Sequence, residues 1–283
     1  DTDYKSFGPR FGFAYGLSER TVLRGGYGLF YAAGNATTGL RCSQCFIFGF
    51  NAAPAYVSPD VGITPAVRWD NGFPTDFPKP PFINPTVQNG SSVNFMGRDD
   101  GRAPYLQNFS FGIQHEFWGR TVLDASYVGV KGTRLGTGLF NQINQVDPRY
   151  LTLGSVLTQQ IGSAAANAAG ISAPYAGFRG SVAQALRPYP QYLNINNRSN
   201  PNGNSTYHAL QMKVEKRLSA GLTLLGSYTW ARTISDGDIM AGGGPTGQDF
   251  YNRRLEKAIS TNDVPHVVAI SYLYELPFAK ANR

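Results

Sequence analysis

The sequence predicts an all-β fold, an antiparallel up-and-down segment of a transmembrane β-barrel with long extracellular loops that carry short helices. Seven stretches alternate large apolar residues with small or polar ones, which is the period-two pattern of β-strands. Each stretch is about 8 to 13 residues long, close to the roughly 9–11 residues of a tilted membrane strand and longer than the 5–6 of an average globular strand. Short and long connections alternate between them. That alternation is typical of outer-membrane barrels, which have tight periplasmic turns and large outer loops.

The whole chain, residues 1–283, is interpreted as one partial outer-membrane β-barrel domain. The predicted strands lie near residues 10–17, 21–31, 107–117, 121–131, 207–218, 222–234 and 264–276. Turns of about three residues follow the first, third and fifth strands. The long loops are expected at 32–104, 132–205 and 235–263, and in an antiparallel sheet they would all leave the same end.

Each predicted strand has one face of large apolar residues and one of small or polar residues. In a wide membrane barrel the apolar face contacts lipid and the other lines a wet lumen. A soluble all-β protein with aromatic cores is the alternative. The residues predicted to face lipid are Phe11, Phe13, Tyr15, Leu23, Tyr27, Leu29, Phe109, Phe111, Leu210, Met212, Val214, Tyr228, Trp230, Ile270 and Tyr272. The charged residues predicted to face the lumen are Arg10, Arg24, Glu116, Asp124, Lys213, Glu215, Arg217 and Glu275.

The amino-acid composition narrows the class of protein further. Only 15% of residues are charged, below the roughly 25% of ordinary soluble domains, while 42% are hydrophobic. No apolar run reaches the roughly 18–20 residues that a spanning helix needs. The formal charge is +7, but the basic residues are scattered, which argues against nucleic acid as a partner and suits a surface near anionic lipid headgroups. The N-terminus shows no signal peptide, so the chain is either a mature protein or a piece of a longer one.

The two cysteines, Cys42 and Cys45, lie in the first long loop. A Cys-x-x-Cys pair can be a redox centre, half a zinc site or a local disulfide. The expected setting of a redox centre, a helix N-terminus after a strand, is absent, and the three histidines lie far away in sequence. The spacing therefore favours a disulfide that pins an exposed loop in an oxidising compartment, with two free thiols as the alternative.

The long loops contain few signals for structure or binding. Asp147 followed by Pro148 predicts a short helix through about residue 157, and a weaker helix is expected over 181–186. The Ala-rich segment 163–169 between them carries little information and is expected to be mobile. In the third loop Tyr251, Asn252, Arg253 and Arg254 form the most polar and aromatic stretch, so they are candidate contacts for a ligand or for surface lipopolysaccharide. A solvated loop is the plainer interpretation.

No catalytic motif is present, and the sequence predicts a protein that is not an enzyme. It has neither a Gly-x-Ser-x-Gly elbow nor a His-Glu-x-x-His helix. The glycine-rich stretch 242–247 lacks the Gly-Lys-Ser/Thr ending of a phosphate loop. We expect no metal and no cofactor.

The predicted strand count points to a larger barrel. Seven is odd, whereas bacterial single-chain barrels have even numbers of strands. An open sheet in lipid would leave unpaired backbone groups at both edges, each costing several kcal/mol. We therefore expect this chain to be a fragment of a longer barrel.

Several segments together resemble one known family. They are residues 7–15 (FGPRFGFAY), 22–31 (VLRGGYGLFY), 124–133 (DASYVGVKGT), 207–211 (YHALQ), 226–230 (GSYTW) and 274–278 (YELPF). Their order and spacing resemble the β-barrel part of Oar-like TonB-dependent receptors, and the resemblance covers nearly the whole chain.

The resemblance implies a bacterial outer-membrane barrel of about 22 strands, of which about seven would be present. It also implies a preceding carboxypeptidase-regulatory-like domain, an N-terminal plug and energisation by TonB, none of which is in this sequence. The expected partners are therefore outer-membrane lipid and lipopolysaccharide, the plug and TonB through regions outside the chain, and an unknown extracellular substrate. The leading hypothesis is a receptor that captures substrate with its loops and takes it up through a plugged lumen. A structural or adhesive outer-membrane protein and a passive porin are the alternatives.

Overall fold

The computed structural model describes residues 6–31, 49–50, 55–75, 79–95, 102–136, 142–197, 202–219, 221–238 and 247–276. Two compact units are present. The first comprises Asp1–Arg41, Met96–Ile143 and Asn197–Arg283, and the second comprises Cys42–Phe95 and Asn144–Asn196. The predicted pair Cys42 and Cys45 lies outside the described residues.

The described residues form ten strands. In chain order these are β1 (Arg10–Ser18), β2 (Thr21–Tyr31), β3 (Val93–Phe95), β4 (Tyr105–Phe117), β5 (Thr121–Leu135), β6 (Ile195–Asn197), β7 (Gly203–Ser219), β8 (Leu222–Ser235), β9 (Ala258–Ile259) and β10 (His266–Tyr274). The main sheet has the order β1-β2-β4-β5-β7-β8-β10, and every neighbouring pair is antiparallel. β9 pairs with the end of β8, and β3 with β6 forms a separate two-stranded sheet. The predicted all-β, antiparallel fold is confirmed.

The structure moves several predicted boundaries. β5 and β7 extend past their predicted ends, because their ladder continues from Lys131↔Thr206 to Leu135↔Gly203 across a bulge at Arg134. The second long connection is shorter than expected as a result. β10 begins at His266 rather than near 264, because Pro265 has no N–H to donate to a ladder. The predicted loops also contain strands β3, β6 and β9, which are too short to show alternation.

The register shows which side chains share a face, since directly opposed residues on neighbouring strands lie on the same side. Tyr15 opposes Leu23, which opposes Ile113, and the row continues through Ala125 and Met212. Extending these rows across the sheet places all fifteen residues predicted to face lipid on one face. The charged residues predicted for the lumen fall on the other, with Glu275 one residue beyond β10. That the first face contacts lipid stays a prediction.

Two glycines on the apolar face lie beneath aromatic rings of the neighbouring strand. Gly25 opposes Phe13, and a Cβ at Gly25 would come within 2.5 Å of the Phe13 ring. Gly129 opposes Phe109 in the same way, and a Cβ there would clash with the Phe109 ring. The absence of a side chain lets each ring lie flat across the adjacent strand.

A tight turn joins β4 to β5. Gly119 and Arg120 both have positive φ, +69° and +56°. Two consecutive residues with positive φ characterise the hairpin turn whose twist matches that of its strands. The turn keeps the connection between β4 and β5 short.

The second unit has short helices and a small core. A 3₁₀ helix spans Trp69–Asn71 and another spans Pro148–Thr158, with α-helices α1 (Ala164–Ala168) and α2 (Val182–Ala185). Ala166 and Val182 expose none of their surface, and Val93 and Ile195 expose 8% and 6%. No helix among the described residues is long and apolar enough to cross a membrane.

The structure adds two details to these segments. The segment after Asp147 is a 3₁₀ helix interrupted at Gly154, whose φ of +53° is not helical. The Ala-rich segment, whose sequence carries little information, forms α1. The Ser163 hydroxyl accepts a hydrogen bond from the Ala166 amide at its N-terminus, and burial of Ala166 holds it in place. Ser181 caps α2 in the same way, through the Gln184 amide.

Candidate functional site

A cavity of about 420 Å³ lies within the second unit. Its walls come from two stretches far apart in sequence, residues 89–90 and residues 175–193. The lining consists of Asn89, Gly90, Tyr175, Gly177, Phe178, Arg179, Gly180, Gln184, Pro190, Gln191 and Leu193. Its volume falls in the range of roughly 300–1,000 Å³ that is usual for small-molecule sites.

Backbone hydrogen bonds hold the two walls together. The Gly90 amide donates to the Gln191 carbonyl at 2.8 Å, and the Leu193 amide donates to the Ser91 carbonyl at 3.0 Å. The Gln184 side chain spans one wall, since its Nε2 donates to the carbonyls of Pro190 (2.8 Å) and Tyr192 (2.6 Å). The cavity is therefore a built feature of the unit.

A buried asparagine fixes the segment behind the cavity. Asn144 is 3% exposed, and its Nδ2 donates to the carbonyls of Tyr189 and Tyr192, both at 2.9 Å. Its Oδ1 accepts from the Tyr189 amide at 3.0 Å. One side chain thus makes three hydrogen bonds to the backbone of residues 189–192. These bonds hold this part of the cavity wall in one conformation.

The cavity offers aromatic surface and one cation. Tyr175 and Phe178 meet edge to face with their ring centroids 5.3 Å apart, and Tyr175 is 38% exposed. Arg179 belongs to the same lining. Rings supply flat apolar contact, while a guanidinium donates hydrogen bonds to oxygen-rich groups. The arrangement suits a small ligand that combines a flat apolar surface with oxygen acceptors.

Arg187 follows α2 in the same unit. Its NH1 donates to the Asn194 side chain at 3.4 Å, and burial lowers the pKa of its guanidinium. An arginine stays protonated despite such a shift. Arg187 therefore contributes a fixed positive charge to the region of α2.

On the main sheet, the polar face brings several of the predicted lumen charges together. Arg24 pairs with Asp124 across β4, and Asp124 also accepts from the Ser126 hydroxyl at 2.9 Å. Glu215 bridges Lys213 and Arg217, each at 3.3 Å. The result is a row of alternating charges on one face of the sheet.

Arg10 does not join this row. Its guanidinium lies over the Phe30 ring, 4.3 Å from the centroid, in a cation–π contact. Both residues line a groove of about 310 Å³ on the polar face, whose floor is formed by Gly26 and Gly28.

The four ligand candidates of the third connection have different environments. Arg253 links two connections, because it donates to the Asn202 carbonyl just before β7 and lies 3.8 Å from the Asp236 carboxylate just after β8. Asn252 precedes the 3₁₀ helix Arg253–Glu256. Tyr251 is 49% exposed beside the Phe250 ring, and Arg254 is also exposed. These two keep accessible side chains, whereas Arg253 joins the second and third connections.

Sequence reasoning missed the cavity in the second unit. The stretch from Tyr175 to Gly180 alternates aromatic residues and glycine, and that density of rings was the available signal. The partner wall at Asn89 and Gly90 lies about 90 residues away, so spacing alone does not reveal it. Among the described residues, no group of three His, Cys, Asp or Glu side chains could hold a metal ion.

An antiparallel sheet of long strands with one mostly apolar face is typical of the membrane β-barrel class. Comparison with protein families agrees. Residues 1–283 match the family described as outer membrane beta barrel domain, and the chain belongs to that family. The predicted location in the bacterial outer membrane is thereby confirmed. No curated protein and no solved structure matches the chain.

Proposed function

We propose that this chain is part of the barrel of a TonB-dependent outer-membrane receptor, that its long connections capture a substrate outside the cell, and that uptake proceeds through a plugged lumen. The observation that carries the proposal is the cavity of about 420 Å³ built from two long connections. A passive porin needs an open lumen but no built cavity in its loops. We further propose that the role is binding and transport without catalysis.

The edges of the sheet support a larger barrel. Within the described residues, β1 pairs only with β2, and β10 pairs only with β8. Unpaired strand edges in hydrocarbon cost several kcal/mol per backbone group. The unpaired edges thus support the proposal that further strands complete the wall, in a barrel of about 22 strands.

An adhesive role is the second candidate, and a specific observation favours it. The second unit exposes large apolar side chains, including Trp69 at 83%, Ile83 at 89% and Phe73 at 64%. Trp69 and Phe73 contact each other edge to face, 5.5 Å between centroids. Exposed apolar side chains suit contact with another surface.

Deletion of the complete gene distinguishes these roles. For a receptor, cells with the gene deplete a component from a complex growth medium, as followed by mass spectrometry, and the deletion strain does not. A protonophore that removes the energy source of TonB abolishes the difference. The proposal is wrong if deletion changes only surface adhesion, or if the purified protein conducts small solutes passively in proteoliposomes.

The cavity is tested in the same assay by the double variant Tyr175→Ala/Phe178→Ala. Removing both rings eliminates the flat apolar surface, so depletion of that component falls at least about tenfold, a loss of about 1.4 kcal/mol in binding. Leu151→Ala is the matched control, since Leu151 is 63% exposed in the same unit and lies outside the cavity. Equal depletion by both variants would assign capture to another part of the protein.

A further inference from the structure

Four basic side chains lie on the apolar face of the main sheet, near its long-connection end. They are Lys131 on β5, His208 on β7, Arg232 on β8 and His266 on β10, and we name them the basic line. All four are exposed. The described residues of these four strands carry no carboxylate on this face.

The basic line is inclined across the strands. Lys131 opposes Thr206, and His208 lies two residues nearer the short turns. His208 opposes Arg232, and His266 opposes Trp230, again two residues nearer the short turns. The line therefore descends four residues over three strand spacings.

The short turns are displaced in the same direction from strand to strand. His115 on β4 is level with the first short turn, because it opposes Thr21. The next short turn begins after Phe117, two residues further along β4. On β7, the turn at Ser219 lies three residues beyond Lys216, which opposes Thr121. The turns thus descend five residues over the four spacings from β2 to β8. Strands of a barrel are tilted, so a line of this slope runs parallel to the membrane plane.

The distance between the basic line and the short turns matches the thickness of the apolar band. Each basic residue lies about 8 to 11 residues from the short-turn end of its strand. A strand rises about 3.3 Å per residue and is tilted about 40°, so the vertical distance is roughly 20–28 Å. The outward apolar band of such barrels is about 25 Å tall. With the apolar face in lipid and the short turns at the inner edge of the apolar band, the basic line lies at its outer edge.

The two histidines are oriented by tyrosines of the preceding strand. The Tyr127 hydroxyl lies 2.5 Å from Nδ1 of His208, and the two rings stack with 17° between their planes. The Tyr228 hydroxyl lies 2.9 Å from Nδ1 of His266, with 12° between the planes. A tyrosine that donates to Nδ1 places the imidazole hydrogen on Nε2, which then can donate to an acceptor. In that tautomer, the repeated geometry presents two Nε2 donors along the line.

Arg232 adds a permanent charge. Its Nε lies 3.9 Å from the carboxylate of Asp263, whose side chain is 8% exposed, while the arginine side chain is 57% exposed. The carboxylate also accepts from the Thr233 amide at 2.6 Å. Asp263 thus positions the arginine, and most of the guanidinium remains accessible.

We propose that the basic line binds the phosphate groups of anionic lipid headgroups in the outer leaflet. Cations and imidazole donors at the edge of an apolar band complement a lipid whose phosphates lie just outside its acyl chains. The inference rests on the proposed assignment of the apolar face to lipid, and it concerns neither the cavity nor uptake. Its residues are therefore testable separately.

The test uses the complete gene product in detergent micelles. Hexa-acylated lipid A carrying both phosphates is compared with the same lipid lacking them, and bound lipid is counted by native mass spectrometry. We expect a preference of about tenfold or more for the phosphorylated lipid, because charge-assisted hydrogen bonds to its phosphates are lost in the other lipid. Equal retention of both lipids by the unmodified protein would overturn the proposal.

The variant Lys131→Gln/His208→Gln/His266→Gln is expected to lose this preference. Lys216→Gln is the matched control, since Lys216 lies on the same face near the short turns, and it should keep the preference. If the triple variant does not fold, Lys131→Gln alone should lower the preference about threefold. Unchanged preference in a folded variant contradicts the proposal, as does inorganic phosphate displacing the lipid at equal concentration, which would indicate a site for free anions.

Discussion

All nine residues of β1 and all nine of β10 are exposed, whereas Ala166 and Val182 in the second unit expose none of their surface. The exposed strands carry large apolar side chains, with Phe11 at 67%, Ile270 at 69% and Tyr272 at 72%. Exposure of such an apolar face to water is unfavourable, so the face requires an apolar solvent or a partner that covers it. The second unit instead buries small side chains in a conventional core. The two regions should therefore respond to different perturbations, and variants of each can test that contrast.

The largest effect is expected for a charge on the apolar face of the sheet. Met212→Arg places a guanidinium near the middle of β7, where a lipid-facing arginine costs about 2–4 kcal/mol. Unfolding by urea in bilayers measures the loss. Gln211→Arg is the matched control, because Gln211 lies on the opposite face beside Lys213. Equal costs at both positions would mean that the two faces have the same environment.

A core variant of the second unit should leave the sheet unaffected. Val182→Ala removes two buried methyl groups, which costs about 2 kcal/mol once the cavity is included. Limited proteolysis should cut the segment 144–196 faster, while the heat-induced mobility shift of the barrel on gels stays unchanged. A change in barrel stability of the same size would contradict the independence of the two units.

Loss of a helix cap should have a smaller effect on the same unit. Ser181→Ala removes the hydroxyl that accepts from the Gln184 amide at 3.2 Å, which costs about 1 kcal/mol. Hydrogen exchange of residues 182–186 should accelerate by about fivefold. Ser181→Asn, which keeps a capping acceptor, should restore most of the protection, and failure to do so would assign the effect to something other than the cap.

Acid should loosen the third connection without unfolding the sheet. Burial raises the pKa of Asp238, but hydrogen bonds from Ser235, Ser260 and Thr261 outweigh it, so the folded pKa lies below the ordinary value of 3.8. The stabilisation is complete above that value and is lost as the pH falls through the lower folded pKa. Amide exchange at Thr261, corrected for its intrinsic pH dependence, should lose protection in that range.

The variant Asp238→Asn provides the control for this pH effect. Its side chain has no carboxylate to protonate, so protection at Thr261 should be weaker and no longer change across the acid range. A pH response that persists in the variant would mean that another group controls this connection.

The main sheet could be predicted from the sequence, because the alternation of apolar and polar residues is a local signal within each strand. The register of the sheet then aligns these patterns on neighbouring strands. Leu210, for example, belongs to a row that runs from Tyr127 to Trp230, and each strand carries its own part of that pattern. The cavity of the second unit has no such local signal. It depends on contacts such as that between Gly90 and Gln191, about 100 residues apart, which no periodicity encodes.

The glycines beneath Phe13 and Phe109 have an evolutionary consequence. Neither Gly25 nor Gly129 can acquire a side chain while the opposite ring stays in place. Loss of a ring would in turn leave a bare stretch of backbone in the wall. Substitutions at these positions should therefore arise in pairs, so that among related sequences a side chain at residue 129 accompanies a small residue at 109.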